Sequence, residues 1–174
     1  MPKLERIEVR SSSKLDFDTL KTLSRLPRLK SLSCTLKEGT LPKQFSGQLP
    51  FASLETLDIG VSVSDADLLS QISQIESLKR LEFKVTANRR SFALTENQTA
   101  GFAALRNLEF LEIDGVTDAS LVNICKAGNL NHIYLKFGTL TAKSLETLQS
   151  HPKLKKVRST QSGLKHRQLD LIGF

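Results

Sequence analysis

A nine-residue pattern of apolar and polar positions recurs along the chain. It has the form apolar-x-x-Leu-x-x-Leu-x-apolar in Phe51–Ile59, Ile75–Phe83 and Leu105–Ile113, and other apolar residues replace some of the leucines elsewhere. The first leucines of the copies stand at positions 4, 29, 54, 78, 108, 130 and 154, which gives seven copies with a mean spacing of 25 residues. A fixed period of this length is typical of proteins built from stacked repeats.

Each copy predicts a short β-strand that is followed by a helix. Apolar residues such as Leu57 and Ile59 alternate with polar ones, which directs one side of a strand to the core and the other outward. A residue able to cap a helix then precedes apolar residues at helical spacing, as in Leu68, Ile72 and Ile75. The predicted caps are Asp16, Ser64, Thr117 and Thr141.

The seven copies resemble the L-x-x-L-x-L frame of leucine-rich-repeat proteins across nearly the whole chain. The helix starts Ser64–Leu68 and Thr117–Leu121 are similar to those in the repeats of F-box substrate receptors and of several bacterial repeat proteins. The resemblance implies a right-handed α/β solenoid, or horseshoe, of about seven leucine-rich repeats, with a parallel sheet on the concave side and helices on the convex side. We expect residues 1–174 to form one such domain.

The sequence departs from the usual pattern of this family in several places. The family commonly has Asn or Cys eight residues after the first leucine, and because none stands there, we expect small hydroxyl groups to replace the asparagine ladder only in part. Lys37–Pro50 and Thr86–Phe92 are expected to form protruding or irregular loops. The chain ends in Leu169–Phe174 without an obvious polar cap, so either the atypical ends cap the core or the chain is a fragment or makes a dimer contact.

Composition favours a folded chain in a reducing compartment. A hydrophobic fraction of 39% and a formal net charge of +7 over 174 residues argue against disorder and against a membrane span. The first ten residues lack the apolar stretch of a signal peptide, so we expect a cytoplasmic protein. Cys34 and Cys125 lack the spacing of a zinc or redox site, and we expect both thiols to be buried and reduced.

The chain contains none of the short motifs that accompany nucleotide, zinc, calcium or acyl-transfer chemistry. His132, His151 and His166 fall in different repeats, with no Cys or carboxylate at ligand spacing, so surface or packing roles are expected for them. We therefore expect no catalysis, no cofactor and no metal.

The outward strand positions form three columns across the repeats, and these columns hold the candidate site. Phe110 is an unusual residue on a solvated strand, and it lies near Tyr134, the only tyrosine of the chain. Aromatic and arginine side chains together are typical of a protein-binding hot spot. The predicted partner-binding residues are Arg80, Glu82, Phe110, Glu112, His132 and Tyr134. The alternative is that Phe110 covers a neighbour on an ordinary solvated surface.

Positive charge is concentrated at the two ends of the sequence. Residues 1–30 carry +4 and residues 151–174 carry +5, whereas the middle carries −2. The C-terminal basic cluster comprises Lys153, Lys155, Lys156, Arg158, Lys165 and Arg167. It is either a solvated face or a site for an acidic protein segment, an anionic membrane surface or RNA. A continuous nucleic-acid track is disfavoured, because Asp58, Glu82, Glu112 and Asp114 are expected on the same side of the sheet and would repel phosphate.

The resemblance implies a non-enzymatic scaffold or recognition module that binds a protein partner on the concave sheet. One alternative is a nucleic-acid-binding module that uses the C-terminal basic cluster. Another is the substrate-recognition part of a ubiquitin-ligase subunit or of a bacterial effector. The sequence has no recognisable F-box or catalytic-cysteine domain, so this last role would require another region or another chain.

Overall fold

Seven short strands form one parallel sheet in which spatial order follows chain order. The structure is a computed structural model, and it describes residues 3–9, 12–41, 49–86 and 91–160. The strands are β1 Arg6–Glu8, β2 Ser31–Thr35, β3 Thr56–Val61, β4 Arg80–Val85, β5 Phe110–Asp114, β6 His132–Lys136 and β7 Lys156–Ser159. Each strand coincides with one copy of the sequence pattern, as predicted.

Short helices connect the strands. They are α1 Phe17–Ser24, α2 Leu68–Ile72, α3 Glu96–Thr99, α4 Asp118–Ile124 and α5 Ala142–Gln149, with 3-10 turns at Val63–Asp65 and Ala100–Ala104. The helices from α2 to α5 contact one another in chain order, as neighbouring strands do. Five of the six connections between successive strands contain a helical segment, and the described part of the connection from β2 to β3 contains none.

The core lies between the sheet and the helical segments. Every second strand residue points into it, so that Leu57, Leu81 and Leu111 are adjacent across three strands and are almost completely buried. Ile72 and Ile124 close the core from the helical side. Burial of one such side chain contributes about 1.5–3 kcal/mol, so this continuous apolar layer is the main source of stability.

A ladder of backbone hydrogen bonds joins each repeat to the next. The carbonyl of Glu55 accepts bonds from the N–H groups of Lys79 at 2.8 Å and of Arg80 at 3.0 Å. The same double acceptance recurs at the carbonyls of Glu5, Lys30, Glu55, Lys79, Glu109 and Asn131. Because each of these carbonyls lies directly before a strand, the ladder fixes where every strand starts relative to its neighbour.

A second ladder uses polar side chains that directly precede the first leucine of a repeat. Ser77 Oγ donates to the Leu54 carbonyl at 2.7 Å, and Asn107 Nδ2 donates to the Glu76 carbonyl at 2.9 Å. Ser53 and Asn129 make equivalent bonds to the repeats before them. These contacts satisfy turn carbonyls that would otherwise rely on water.

Carboxylate and hydroxyl side chains form hydrogen bonds in the turns after the strands, where the asparagine ladder of the family is missing. Asp65 accepts the N–H of Gly39 at 2.9 Å and the hydroxyl of Ser62 at 2.6 Å. Asp118 accepts the hydroxyls of Thr141 and Ser144, one repeat further along. The expected partial replacement by small hydroxyls is seen at Thr86, whose Oγ1 donates to the Val61 carbonyl at 3.1 Å.

Three of the four predicted helix caps are confirmed. Asp16, Thr117 and Thr141 each accept a backbone N–H from the first turn of the helix that follows. Ser64 was a wrong prediction, because it lies inside the 3-10 turn Val63–Asp65 and α2 begins only at Leu68. The Asp65 carboxylate bonds back to Ser62, which favours a tight turn where an α-helix was expected.

The long step between the fourth and fifth repeats is irregular, as expected, but its end does not protrude. Phe92 and Leu94 are buried, and Leu94 N–H donates to the Gly115 carbonyl at 2.7 Å. Gly115 has a φ of 78°, and a Cβ there would lie 2.4 Å from the Phe92 ring, so the close packing requires glycine. Residues 42–48 and 87–90 of the two expected loops lie outside the described residues.

Both cysteines are free thiols within the described part of the chain. Burial, together with the nearby Asp58 carboxylate, raises the pKa of Cys34 to about 12. Burial raises the pKa of the half-buried Cys125 to about 11. Both groups are therefore protonated and weakly nucleophilic at neutral pH.

None of the helices in the described ranges has the length and apolar character needed to cross a bilayer.

The capping box of α4 gives the first testable prediction. Thr117 Oγ1 accepts the Ser120 N–H at 3.2 Å, and Ser120 Oγ accepts the Thr117 N–H at 2.8 Å. Thr117→Ala removes one of these bonds and is expected to lower the free energy of unfolding by about 1 kcal/mol, measured by urea denaturation. Thr117→Ser keeps the acceptor and should stay close to wild type. Equal losses in both variants would show that the cap does not stabilise α4.

Candidate functional site

The outward side chains of β1–β7 form one continuous surface, which we call the open face. The strand register places equivalent positions of successive repeats side by side, as in Arg80, Phe110 and His132. The neighbouring column contains Glu82, Glu112 and Tyr134. The six predicted partner-binding residues therefore lie together on three adjacent strands, β4, β5 and β6.

Charged side chains in the middle of the open face neutralise one another. Arg80 lies 2.7 Å from one oxygen of Glu82, and Lys84 lies 2.7 Å from the other. Lys84 also contacts Asp58 on the neighbouring strand at 2.9 Å, and Asp58 accepts the Ser33 hydroxyl at 3.2 Å. The result is a connected network across β2, β3 and β4.

The network shifts the pKa values of its central members. Partial burial alone would raise the pKa of Glu82, but the hydrogen bonds and positive charges of Lys84 and Arg80 lower it below its ordinary value. Partial burial likewise opposes the charged form of Lys84, but Glu82 and Asp58 raise its pKa. Both groups are therefore held in their charged forms at neutral pH.

Phe110 is held in place by a cation. The Arg80 guanidinium carbon lies 3.6 Å from the centre of the Phe110 ring, a distance typical of a strong cation–π contact. Because the same guanidinium is bonded to Glu82, the ring, the cation and the carboxylate form one fixed unit. Phe110 remains partly exposed beside this unit.

Tyr134 has a matching arrangement on the next strands. The Lys136 amino group lies 4.5 Å from the centre of the Tyr134 ring and 2.5 Å from Glu112. Glu112 is only 9% exposed, and the amino group of Lys136 beside it neutralises its charge. Each of the two aromatic rings thus packs against a cation that is itself paired with a carboxylate.

The two rings border a shallow depression of about 290 Å³, which we call the aromatic depression. Its lining comprises Arg80, Phe110, Glu112, His132, Ile133, Tyr134, Lys156 and Arg158. Five of the six predicted partner-binding residues are in this lining. Glu82 is not, but it orients Arg80.

The predicted basic cluster is divided by the fold. Lys156 and Arg158 lie on β7 and line the aromatic depression. Lys153 lies in the turn before β7, where its amino group contacts Asn129 Oδ1, and Lys155 is exposed directly before the strand. Lys165 and Arg167 lie outside the described residues.

Two outward positions were assigned wrongly from the sequence. Asp114 was expected on the exposed sheet, but it is 1% exposed, and its carboxylate accepts the Val85 N–H at 2.9 Å. Regular pairing of β4 with β5 ends at Phe83 and Ile113, so Asp114 turns inward to bind the backbone beyond that point. Gly60, which the alternation of β3 also assigns to the outward side, is buried as well, because Thr35 and Thr86 lie against it.

Two contacts of the site were missed by the sequence reasoning. Lys136 was not among the predicted binding residues, although the columns place it near Glu112, which it neutralises. The half-buried position of Phe110 under Arg80 also could not be read from alternation alone. The signal for both was the register, since residues about one period apart become neighbours.

Histidine and cysteine form no metal centre in the described ranges, where no group of three or more His, Cys, Asp or Glu side chains could hold an ion. His151 is buried, with Nε2 3.2 Å from the Ala127 carbonyl, and it accepts the Lys153 N–H through Nδ1. His132 Nδ1 lies within hydrogen-bond distance of Asn131 Oδ1, at 2.5 Å. His166 lies outside the described residues.

Comparison with solved structures shows similarity to internalin C2 from Listeria monocytogenes str. 4b F2365, a leucine-rich-repeat protein. The two sequences are 18% identical, and the match covers 90% of this chain and 71% of that chain with a TM-score of 0.52. No family model matches the sequence, and no curated protein matches it. The likeness concerns the fold, and it confirms the predicted α/β solenoid of leucine-rich repeats.

The ion network predicts a pH dependence of stability. The pKa of Glu82 is lowered in the folded state from an ordinary value of 4.5, so its contribution is present above that pH and is lost as the pH falls below it. Glu82→Gln should therefore reduce the loss of unfolding free energy between pH 6 and pH 3, measured by urea denaturation at each pH. Glu109→Gln removes an exposed carboxylate directly before β5 and serves as the control. If both variants lose stability as wild type does, the network does not stabilise the charged form of Glu82.

Proposed function

We propose that this leucine-rich-repeat chain is a non-enzymatic recognition module that binds a protein partner on the open face, with the aromatic depression at the centre of the interface. The observation that supports this most directly is the presence of two partly exposed aromatic rings beside a depression on an otherwise polar surface. Aromatic side chains in such positions contribute a large share of the binding free energy of protein interfaces.

The rigidity of the two rings favours tight recognition. Phe110 is packed against Arg80, and Tyr134 against Lys136, and both cations are paired with carboxylates. A side chain that is already ordered loses little conformational entropy when a partner covers it. Both aromatic rings are therefore ordered in the free protein, and binding does not have to fix their positions.

The fold supports the same function. Stacked repeats present an extended surface whose shape changes little, and such surfaces commonly serve in binding. Within the described residues, strands β3, β4 and β5 carry charged side chains that are paired with one another or with Lys136 on β6. Fixed charges of this kind can match the charges of a partner and orient it, whereas none of these paired groups is placed to transfer a proton to or from a substrate.

A nucleic acid is the second candidate partner, favoured by Lys156 and Arg158 beside the aromatic rings. Carboxylates on β3, β4 and β5 interrupt the track of positive charge that a phosphate backbone would follow. We therefore place a protein partner first.

The test is capture of partners from a lysate of the native cell, followed by measurement of binding with the purified partner. Phe110→Ala/Tyr134→Ala is expected to weaken binding by about 1 to 4 kcal/mol, because both anchors lose their apolar contact area. Val122→Ala is the matched control, since Val122 is an apolar side chain 45% exposed on α4, away from the sheet.

Circular dichroism and urea denaturation establish whether the double variant is folded. A folded double variant that binds the partner as tightly as wild type would contradict the proposal. Loss of folding would assign Phe110 and Tyr134 to the core and would also contradict it. Retention of nucleic acid at low salt by both proteins, with no protein retained at high salt, would favour the second candidate.

A further inference from the structure

We infer that the partner segment bound in the aromatic depression is acidic, with a carboxylate at Lys156 and Arg158 and an apolar side chain beside Phe110 and Tyr134. The inference rests on the proposed function and adds to it the chemistry of the partner.

The charge balance of the open face differs between its middle and its C-terminal end. Every carboxylate in the outward columns of the described strands has a partner on the protein itself. Glu8 pairs with Arg6, Asp58 and Glu82 with Lys84, and Glu112 with Lys136. In the described ranges, Lys156 and Arg158 have no ion pair and no side-chain hydrogen bond. Among the residues that the structure describes, the open face therefore carries two uncompensated positive charges, and both are on β7.

The two cations are next to the aromatic residues. The register pairs Lys156 with His132 and Arg158 with Tyr134, and both cations line the depression. Side chains two positions apart leave the same face of a strand about 6.6 Å apart, so a carboxylate between them can contact both. Neighbouring strands are about 4.8 Å apart, which puts an adjacent apolar side chain of the ligand within reach of Tyr134.

The paired glutamate in the depression does not oppose an acidic ligand. Glu112 is neutralised by Lys136 and is 9% exposed. The charge that a ligand meets at this end of the open face is therefore positive. A bond between an arginine or lysine and a carboxylate is also among the stronger polar contacts when it is partly shielded from water.

The ring faces favour a peptide over a nucleic acid. Single-stranded nucleic acids are held by bases that stack on open aromatic faces and by cations that follow the backbone. One face of Phe110 is covered by Arg80, and one face of Tyr134 is covered by Lys136. The two uncompensated cations of the described strands also stand side by side on β7 and do not continue along the open face as a backbone would require. An acidic segment with one apolar residue uses all the groups that remain available.

The experiment is selection of a random decapeptide library against the full chain, with Phe110→Ala/Tyr134→Ala protein used for counter-selection. We expect the enriched peptides to carry Asp or Glu within a few positions of a large apolar residue. One selected peptide, labelled with fluorescein, is then used for binding measurements by fluorescence anisotropy.

In those measurements, Lys156→Glu/Arg158→Glu should weaken binding of the labelled peptide at least about tenfold, because two attractive charges become repulsive. Lys21→Glu/Lys126→Glu changes the net charge of the protein by the same amount on exposed positions in α1 and after α4, and it should bind as wild type does. Lys156→Gln/Arg158→Gln should give an intermediate loss. Binding by wild type should weaken as salt is raised.

The outcomes separate this inference from the proposed function. Selected peptides that depend on Phe110 and Tyr134 but show no acidic bias would overturn the inference and leave the proposed function standing. Failure to select any peptide that distinguishes wild type from the double variant would count against both. Tighter binding of a labelled single-stranded oligonucleotide than of the peptide, lost in Lys156→Glu/Arg158→Glu, would overturn the inference in favour of a nucleic acid.

Discussion

The hydrogen bonds at the carbonyl before each strand are the constraint on which the rest of the structure depends. One carbonyl accepts two N–H groups of the next repeat, and this contact recurs along the sheet. It sets the start of each strand, and the alternation of strand residues then determines which side chains enter the core and which face outward. Apolar burial stabilises the stack, but the ladder decides its register. Loss of register by one residue would exchange the two sides of a strand.

Register also creates the chemistry of the open face. Arg80 and Phe110 are thirty positions apart in the chain, yet the register places one over the other. The same holds for Lys136 and Glu112, which belong to successive repeats. Short strands with similar frames therefore bring together charges and rings that have no local relationship in the sequence. The candidate site is a product of stacking, and no single repeat contains it.

Much of this could be predicted from the sequence, because two periodicities coincide. Alternation within each copy fixed the side of each residue, and the repeat of the frame fixed its neighbours, so the position of the six candidate-site residues on adjacent strands was predicted residue by residue. The failures lie where periodicity is interrupted. Asp114 turned inward because the pairing of β4 with β5 ends early. Ser64 does not cap α2 because Asp65 binds Ser62 and the backbone of Gly39 in another repeat, which favours a 3-10 turn at this point. Bonds of this kind depend on three-dimensional position. Alternation did place Lys156 and Arg158 on the outward side of β7, where the register sets them beside His132 and Tyr134.

The position of Lys156 and Arg158 on β7 has a consequence for how the depression opens. Within the described residues β7 is paired with β6 alone, whereas β4, β5 and β6 each have two neighbours. Strands with one neighbour detach in local fluctuations at a lower free energy than strands held on both sides. Among the described residues, the aromatic side chains of the depression therefore lie on strands that are held on both sides, whereas its two cations lie on a strand that is held on one. A ligand that contacts Tyr134 and Arg158 together would join these two strands from the open face as well as through their backbones.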